Sequence, residues 1–77
     1  MDSNKLVKMA NDIAAFFEAE PDPAACSAGI SGHIGRFWDP RMRRALFRHL
    51  DEQGAEGLRD SVVRALSEHR ESLSPKG

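Results

Sequence analysis

Apolar residues recur at intervals of three and four positions in four stretches of the chain. This spacing places side chains on one face of an α-helix. No stretch alternates apolar and polar residues in the way that a half-buried strand does. The pattern therefore predicts an all-α fold, a small four-helix domain with helices over residues 4–18, 24–37, 40–52 and 58–71.

The predicted core consists of the apolar residues that recur at helical spacing within these stretches. Each predicted helix then presents one apolar stripe, and the stripes are expected to pack against one another. The predicted core residues are Leu6, Met9, Ile13, Phe16, Ile30, Ile34, Phe37, Leu46, Leu50, Val62 and Leu66.

The second predicted helix contains three glycines, Gly29, Gly32 and Gly35. Each costs a helix interior about 1 kcal/mol relative to alanine. The segment has neither of the glycine patterns that are typical of phosphate-binding loops. We therefore expect this helix to depend on tertiary contacts, and its glycines to let another backbone come close.

A corner at Trp38, Asp39 and Pro40 separates the second predicted helix from the third. Proline disfavours the α region in the residue before it, so the second helix should end by Trp38. Pro40 suits the first turn of the next helix, where its missing N–H is not needed. Asp39 is the predicted N-cap, accepting a hydrogen bond from the N–H of Arg41 or Met42. Trp38 either covers this elbow or anchors an interface, and the sequence leaves both alternatives open.

With 77 residues, the chain is expected to form a single helical domain over residues 1–77. The segment 72–77 contains Pro75 and is predicted to be a disordered tail. A domain of this size is marginally stable alone unless it is cross-linked or docked on a partner. Cys26 is the only cysteine, so an internal disulfide is excluded.

The net charge of −1 argues against a dedicated binder of nucleic acid or of an anionic membrane. No segment approaches the roughly 20 apolar residues of a membrane span, and the N-terminus lacks the apolar core of a signal peptide. These features and the single cysteine favour a cytoplasmic protein. Five arginines nevertheless lie between positions 33 and 50, together with one aspartate: Arg36, Arg41, Arg43, Arg44 and Arg48.

The sequence contains no constellation that is typical of a catalytic or metal site. Its three histidines, His33, His49 and His69, fall one on each of the last three predicted helices and lack a metal-ligand spacing. Cys26 suits a buried apolar position better than the role of a reactive thiol. No catalytic, cofactor-binding or metal-ligating residue is therefore predicted.

The arginine stripe, formed by Arg41, Arg44 and Arg48, recurs at helical spacing on the third predicted helix. Three interpretations of this stripe are open. It is a solvated face with local ion pairs, a docking face for an acidic protein surface, or part of a helix-turn-helix whose second helix enters the DNA major groove.

Four parts of the chain together form a recognisable pattern. They are the run from Asn4 to Phe17, Gly29-Ile30 with His33, the run Phe37-Trp38-Asp39-Pro40-Arg41-Met42-Arg43, and Gly57-Leu58. This pattern resembles the delta subunit of soluble NAD-dependent formate dehydrogenases, and the similarity extends from about Asn4 to Leu66. The run around Pro40 is its most specific part. The chain departs from the family pattern after Leu58, where a proline is usual and Arg59-Asp60-Ser61 stand instead.

The resemblance implies a non-catalytic accessory subunit that binds the large catalytic subunit and assembles or stabilises the dehydrogenase complex. It also implies that this chain binds no cofactor. The partner subunits are expected to hold a molybdenum or tungsten bis-pterin cofactor, iron–sulfur clusters and FMN. The predicted interface residues are Trp38, Asp39, Arg41, Arg43, Arg44 and Arg48.

Two other functions remain as alternatives. One is cofactor insertion, in which the arginines neutralise pterin phosphates or an acidic flap during maturation. The other is a small helix-turn-helix DNA-binding regulatory domain, for which salt-dependent DNA retention would be the signature.

An apolar surface left uncovered in the isolated chain would favour self-association.

Overall fold

The computed structural model describes residues 2–75, and every regular element in this range is a helix. The helices are α1 (Ser3–Phe17), α2 (Pro23–Phe37), α3 (Pro40–Gln53), α4 (Asp60–Glu68) and α5 (Arg70–Leu73). The all-α prediction is confirmed. The first three helices lie within one residue of their predicted bounds, and the fourth predicted helix is divided into α4 and α5.

The first three helices begin with the same local arrangement. Asp2, Asp22 and Asp39 occupy the N-cap positions, and each carboxylate accepts a hydrogen bond of 3.0 Å from a backbone N–H two or three residues further on. Pro23 and Pro40 follow as first helical residues, where their fixed φ suits the helix. These caps are local in sequence, which explains why the helix starts could be predicted closely.

α4 begins later than predicted because of the loop that precedes it. Backbone φ is positive at Gly54 (55°), Ala55 (30°) and Gly57 (78°), and a right-handed helix cannot include such residues. Asn11 of α1 holds this loop in place. Its amide donates a hydrogen bond of 2.8 Å to the carbonyl of Gly57, and its Oδ1 accepts one of 3.0 Å from the N–H of Arg59.

The fourth predicted helix is interrupted at His69, where φ is −116° and ψ is 22°. α5 continues to Leu73, so residues 72 and 73 are helical where the sequence predicted the start of a tail. Leu73 is 3% exposed, and its carbonyl accepts a hydrogen bond of 3.1 Å from Arg43 Nη1. This contact with α3 spans 30 positions and leaves no local signal in the sequence. Residues 76 and 77 of the predicted tail lie outside the described residues.

The core lies where the first four helices meet. α2 packs against α4 and α1, and α1 also contacts α3 and α4. Several of the contacting residues are alanines, whose small side chains let neighbouring helices approach closely. The residues with no exposed surface at all are Ala10, Ala14, Ile30, Ile34, Val62, Ala65 and Leu66.

Three residues of the predicted core are exposed instead. Met9 is 40% exposed, Phe16 75% and Phe37 69%. On α1 the buried face follows a spacing of four positions from Leu6 to Ala14. Successive helical residues are about 100° apart, so Met9 and Phe16 both fall on the flank of this face. Apolar spacing alone did not distinguish the buried face from its flank.

Other apolar residues occupy the core in their place. Trp38, Phe47 and Leu73 are buried, with 5%, 6% and 3% of their surfaces exposed. Ile13 and Leu50, which were also predicted to be core residues, are half-buried and pack against the core.

The glycines of α2 differ in their surroundings. A Cβ added to Gly29 would lie 2.5 Å from Cδ1 of Phe17, so this glycine accommodates an aromatic ring of α1 rather than a neighbouring backbone. A Cβ added to Gly32 would meet nothing within 4 Å. Of the three glycines of α2, only Gly29 lies so close to a neighbouring side chain that a larger residue would overlap it.

This difference predicts opposite effects for two alanine substitutions. Gly32→Ala is expected to raise the free energy of unfolding by about 0.5–1 kcal/mol, because alanine stabilises a helix interior without a clash. Gly29→Ala is expected to lower it by about 1–2 kcal/mol, because the Phe17 ring must be displaced. Urea denaturation followed by circular dichroism measures both, and equal stabilisation by the two substitutions would contradict the packing of Phe17 against Gly29.

Candidate functional site

Trp38 lies at the end of α2 and points into the protein's own core. It is the C-cap residue, with an extended backbone (φ −95°, ψ 131°) and an N–H that donates a hydrogen bond of 3.0 Å to the carbonyl of Ile34. Only 5% of its surface is exposed. This placement corresponds to the structural alternative for Trp38, because little of the indole is left for a partner to contact.

Two further residues of the predicted interface hold the corner together. Asp39 caps α3 through the N–H of Met42. Arg43 is half-buried and joins α3 to the end of α5 through the carbonyl of Leu73. Its Nε is buried without a hydrogen-bond partner among residues 2–75. Both side chains therefore support the fold, and Asp39 is also exposed at the surface.

The arginine stripe remains exposed. Arg41, Arg44 and Arg48 form no ion pair with any other residue in the range 2–75. They line one side of a surface cavity of about 330 Å³ between α3 and the start of α1, to which Glu52 and Gln53 also contribute. The structure thus brings three arginines without ion pairs together on one face of α3, with the carboxylate of Glu52 in the lining of the same cavity.

Two other arginines form ion pairs that join distant parts of the fold. Arg59 forms a two-point ion pair with Glu18, with distances of 2.8 Å and 2.6 Å, and links the start of α4 to the end of α1. Arg70 pairs in the same way with Asp51, at 2.9 Å and 2.6 Å. The guanidinium of Arg70 also lies 4.9 Å from the ring centroid of Phe47, a cation–π contact. The free arginines of the stripe therefore differ from these structural arginines.

The ion pair of Glu18 makes a testable contribution to stability. Its hydrogen bonds with Arg59 and then Ser61 lower the pKa of this carboxyl from 4.5 to about 2. A group with a lowered folded-state pKa stabilises the protein above its unfolded pKa, and this contribution is lost as the pH falls through the folded value. We expect Glu18→Gln to be destabilising at neutral pH, and the difference from wild type to shrink between about pH 4.5 and about pH 2.

Urea unfolding at a series of pH values measures this difference. Glu56→Gln is the matched control, because the Glu56 side chain forms no hydrogen bond among the described residues. A difference between wild type and Glu18→Gln that stays constant down to pH 2 would contradict the role of this ion pair.

A second exposed feature was not predicted from the sequence. The rings of Phe16, Phe17, His33 and Phe37 form a continuous cluster, which we call the aromatic surface. The ring centroids are 5.1 Å apart for Phe16 and Phe17, 6.3 Å for Phe17 and His33, and 4.7 Å for His33 and Phe37. Phe16 and Phe17 are adjacent on α1 and cannot both face the core, which was the one sequence signal for this surface.

Metal-ligating side chains are not clustered among the described residues. Within residues 2–75, no group of three or more histidine, cysteine or acidic residues is placed to hold a metal ion. His49 makes a hydrogen bond of 2.8 Å with the carbonyl of Glu56, and Cys26 is buried. In the same range, no helix has the length and apolar character that crossing a bilayer requires.

Comparison with known proteins gives one family match. The model for NADH-dependent formate dehydrogenase delta subunit FdsD matches residues 5–66. The matched range includes most of α1, all of α2 and α3, and most of α4, and therefore both the arginine stripe and the aromatic surface. Neither the curated proteins nor the solved structures that were searched give a match. The family match gives no support to the helix-turn-helix alternative.

Proposed function

Because this chain belongs to the NADH-dependent formate dehydrogenase delta subunit family, we propose that it is a non-catalytic accessory subunit of such a dehydrogenase. In this role it binds the large catalytic subunit and assembles or stabilises the complex. The observation that carries the proposal is the family match over residues 5–66.

The arginine stripe supports a docking role. Leaving three arginines unpaired on one helix face gives no benefit to the isolated fold, whereas arginine is favoured at interfaces because its planar guanidinium binds carboxylates at two points. We propose that Arg41, Arg44 and Arg48 contact an acidic surface of the catalytic subunit. Asp39 and Arg43 set the position of α3, and Trp38 anchors that corner from within the core.

Membership in the family implies that the cofactors of the reaction reside in partner subunits. We propose that these subunits hold a molybdenum or tungsten bis-pterin cofactor, iron–sulfur clusters and FMN, and that the complex is cytoplasmic. This chain then contributes by stabilising the folded state of the subunit that it binds. Any partner that binds the folded form of one chain and not its unfolded form stabilises that fold, and the two subunits stabilise each other through the shared interface.

Affinity purification from the native host tests this function. The tagged full-length chain is expected to recover dehydrogenase subunits, identified by mass spectrometry, together with formate-dependent reduction of NAD⁺ and molybdenum or tungsten in the eluate. A tagged helical protein of similar size and charge from another source is the control for nonspecific capture. Recovery of the chain with no dehydrogenase subunit would contradict the proposal.

A further inference from the structure

The aromatic surface lacks an explanation in the fold. Phe16 is 75% exposed and Phe37 is 69% exposed, although each would gain favourable free energy from burial. Single exposed apolar residues are common on protein surfaces. Here, however, two phenyl rings are joined through Phe17 and His33, and Met9 lies on the same flank of α1 as Phe16. A continuous apolar cluster of this kind marks interaction sites.

The inner rings of this surface are fixed by packing. Phe17 is half-buried and fits against the backbone of Gly29, where even a methyl group would overlap its ring. His33 is half-buried between Phe17 and Phe37 and supports both rings. The outer rings of Phe16 and Phe37 therefore rest on a preorganised base, which lowers the entropy cost of ordering them in a complex.

We infer that the aromatic surface is a docking site, and that an apolar concavity on another formate dehydrogenase subunit covers it. The inference rests on the proposed function and specifies which side chains carry the binding energy. Aromatic residues and methionine are enriched at the centres of protein interfaces, where a few well-packed residues carry most of the binding energy. Phe16 and Phe37 are the two anchors.

The available area argues against a second copy of this chain as the occupant. With about 200 Å² for a whole phenylalanine side chain, the two anchors expose roughly 300 Å² together. A stable interface of ordinary size takes about 800 Å² from each partner. Any interface of that size must also bury the charged surface around this patch. In a symmetric dimer this charged surface would face a second copy of itself, whereas another subunit can present complementary charges.

The shape of the aromatic surface is a second argument against a second copy of this chain as the occupant. The two rings protrude, and a protruding ring requires a concave apolar partner site. Five surface cavities of the described residues all include charged side chains in their lining, among them Arg44, Glu68, Asp60 and Glu56. Burying a phenyl ring against these groups would desolvate them, which is unfavourable.

The charge beside the surface adds one feature to the expected partner site. Arg36 precedes Phe37 on the last turn of α2, is exposed, and forms no ion pair with another residue of the range 2–75. An apolar concavity with a carboxylate at its rim would match Phe37 and Arg36 together.

Replacement of the two anchors tests the inference in the full chain. The variant Phe16→Ser/Phe37→Ser is expected to recover at least tenfold less dehydrogenase than wild type when the tagged chain is purified from its host. The variant is expected to remain folded with only a small decrease in its unfolding temperature, because both side chains are exposed. Arg64→Ser/Glu68→Ser, which truncates two exposed side chains of α4 and also leaves the net charge unchanged, is the matched control and should bind as wild type does.

The outcomes separate the inference from the proposed function. If wild type and Phe16→Ser/Phe37→Ser recover the dehydrogenase equally, the inference is overturned and the proposed function stands. If wild type recovers none, the proposed function fails and the inference fails with it. Sedimentation velocity on the isolated chain tests whether a second copy of this chain covers the aromatic surface instead. A dimer that the double substitution abolishes, with dehydrogenase binding unchanged, would assign the surface to a second copy and overturn the inference.

Discussion

Trp38→Ala is expected to lower the free energy of unfolding by about 3–5 kcal/mol, the usual loss when a large buried aromatic side chain is removed. Trp38 is 5% exposed and belongs to the core cluster with Ile34 and Leu73. On a per-residue scale, the total stability of a 77-residue domain is about 4–12 kcal/mol. The substitution therefore removes a large fraction of the stability, and a measurable unfolded population is expected at room temperature.

Phe37→Ala is the matched control for this prediction. The two residues are adjacent and aromatic, but Phe37 is 69% exposed, so its truncation is expected to cost less than about 1 kcal/mol. Urea denaturation followed by far-ultraviolet circular dichroism measures both variants. In wild type and Phe37→Ala, the fluorescence of Trp38 should also shift to longer wavelength on unfolding. A Trp38→Ala variant as stable as Phe37→Ala would show that the indole does not support the core.

The stabilities of the Trp38 and Phe37 variants are needed to interpret their binding to the dehydrogenase. Loss of dehydrogenase binding by Trp38→Ala would follow from unfolding alone and would not identify an interface residue. Loss of binding by a Phe37 variant with unchanged stability would identify one. The prediction that Phe37 lies in the core is thus wrong, and the buried residue is Trp38, for which the sequence left both alternatives open.

The helix bounds could be predicted because their signals are local. An aspartate followed by proline fixes the start of α2 and of α3, and the cap geometry follows from the residues themselves. The end of α5 could not be predicted in this way. Leu73 is buried against the other helices and receives a hydrogen bond from Arg43, which lies 30 positions earlier.

The orientation of side chains within the helices depends on packing and was predicted less well. Apolar residues at three-to-four spacing do not determine which side of the stripe is buried. On α1, contact with the other helices buries Ala10 and Ala14 and leaves Met9 and Phe16 exposed. Trp38 illustrates a second limit. Its backbone is extended, so its side-chain direction does not follow the helical periodicity that was used for Phe37.

The arginine stripe was predicted as an exposed face of the third helix, and its residues are exposed in the structure. The sequence could not tell a solvated face from a docking face, because that depends on which charges are neutralised by distant residues. Arg59 and Arg70 find carboxylates 41 and 19 positions away. Arg41, Arg44 and Arg48 find none within residues 2–75, which favours the docking interpretation that we propose.

Reversing two charges of the stripe is expected to weaken binding to the catalytic subunit about a hundredfold or more. Arg44→Glu/Arg48→Glu places carboxylates against the proposed acidic surface, and like charges in contact across an interface cost several kcal/mol, with 1.4 kcal/mol for each tenfold change. These two positions are chosen because they lie in the middle of α3. Arg41 is in the first turn, where a glutamate would also stabilise the helix through its dipole.

Lys8→Glu/Arg64→Glu is the matched control, because it makes the same change in net charge on α1 and α4. Each of its positions loses one exposed ion pair with a residue four positions away, worth about 0.3–0.5 kcal/mol, and gains a like-charge pair of similar cost. Affinities of the purified chains for the catalytic subunit are measured by calorimetry at low and at high salt. Wild-type binding should weaken as salt screens the attraction. Binding by the stripe variant should instead strengthen with salt, because salt screens the repulsion between its glutamates and the acidic surface.

The comparison distinguishes the two interpretations of the stripe. If overall charge governs association, both double variants will lose affinity to the same extent, because they carry the same net charge. If the stripe is a specific contact, only Arg44→Glu/Arg48→Glu will lose it. Unchanged affinity of the stripe variant at low salt would show that these arginines form a solvated face, and would leave the aromatic surface as the remaining candidate for docking.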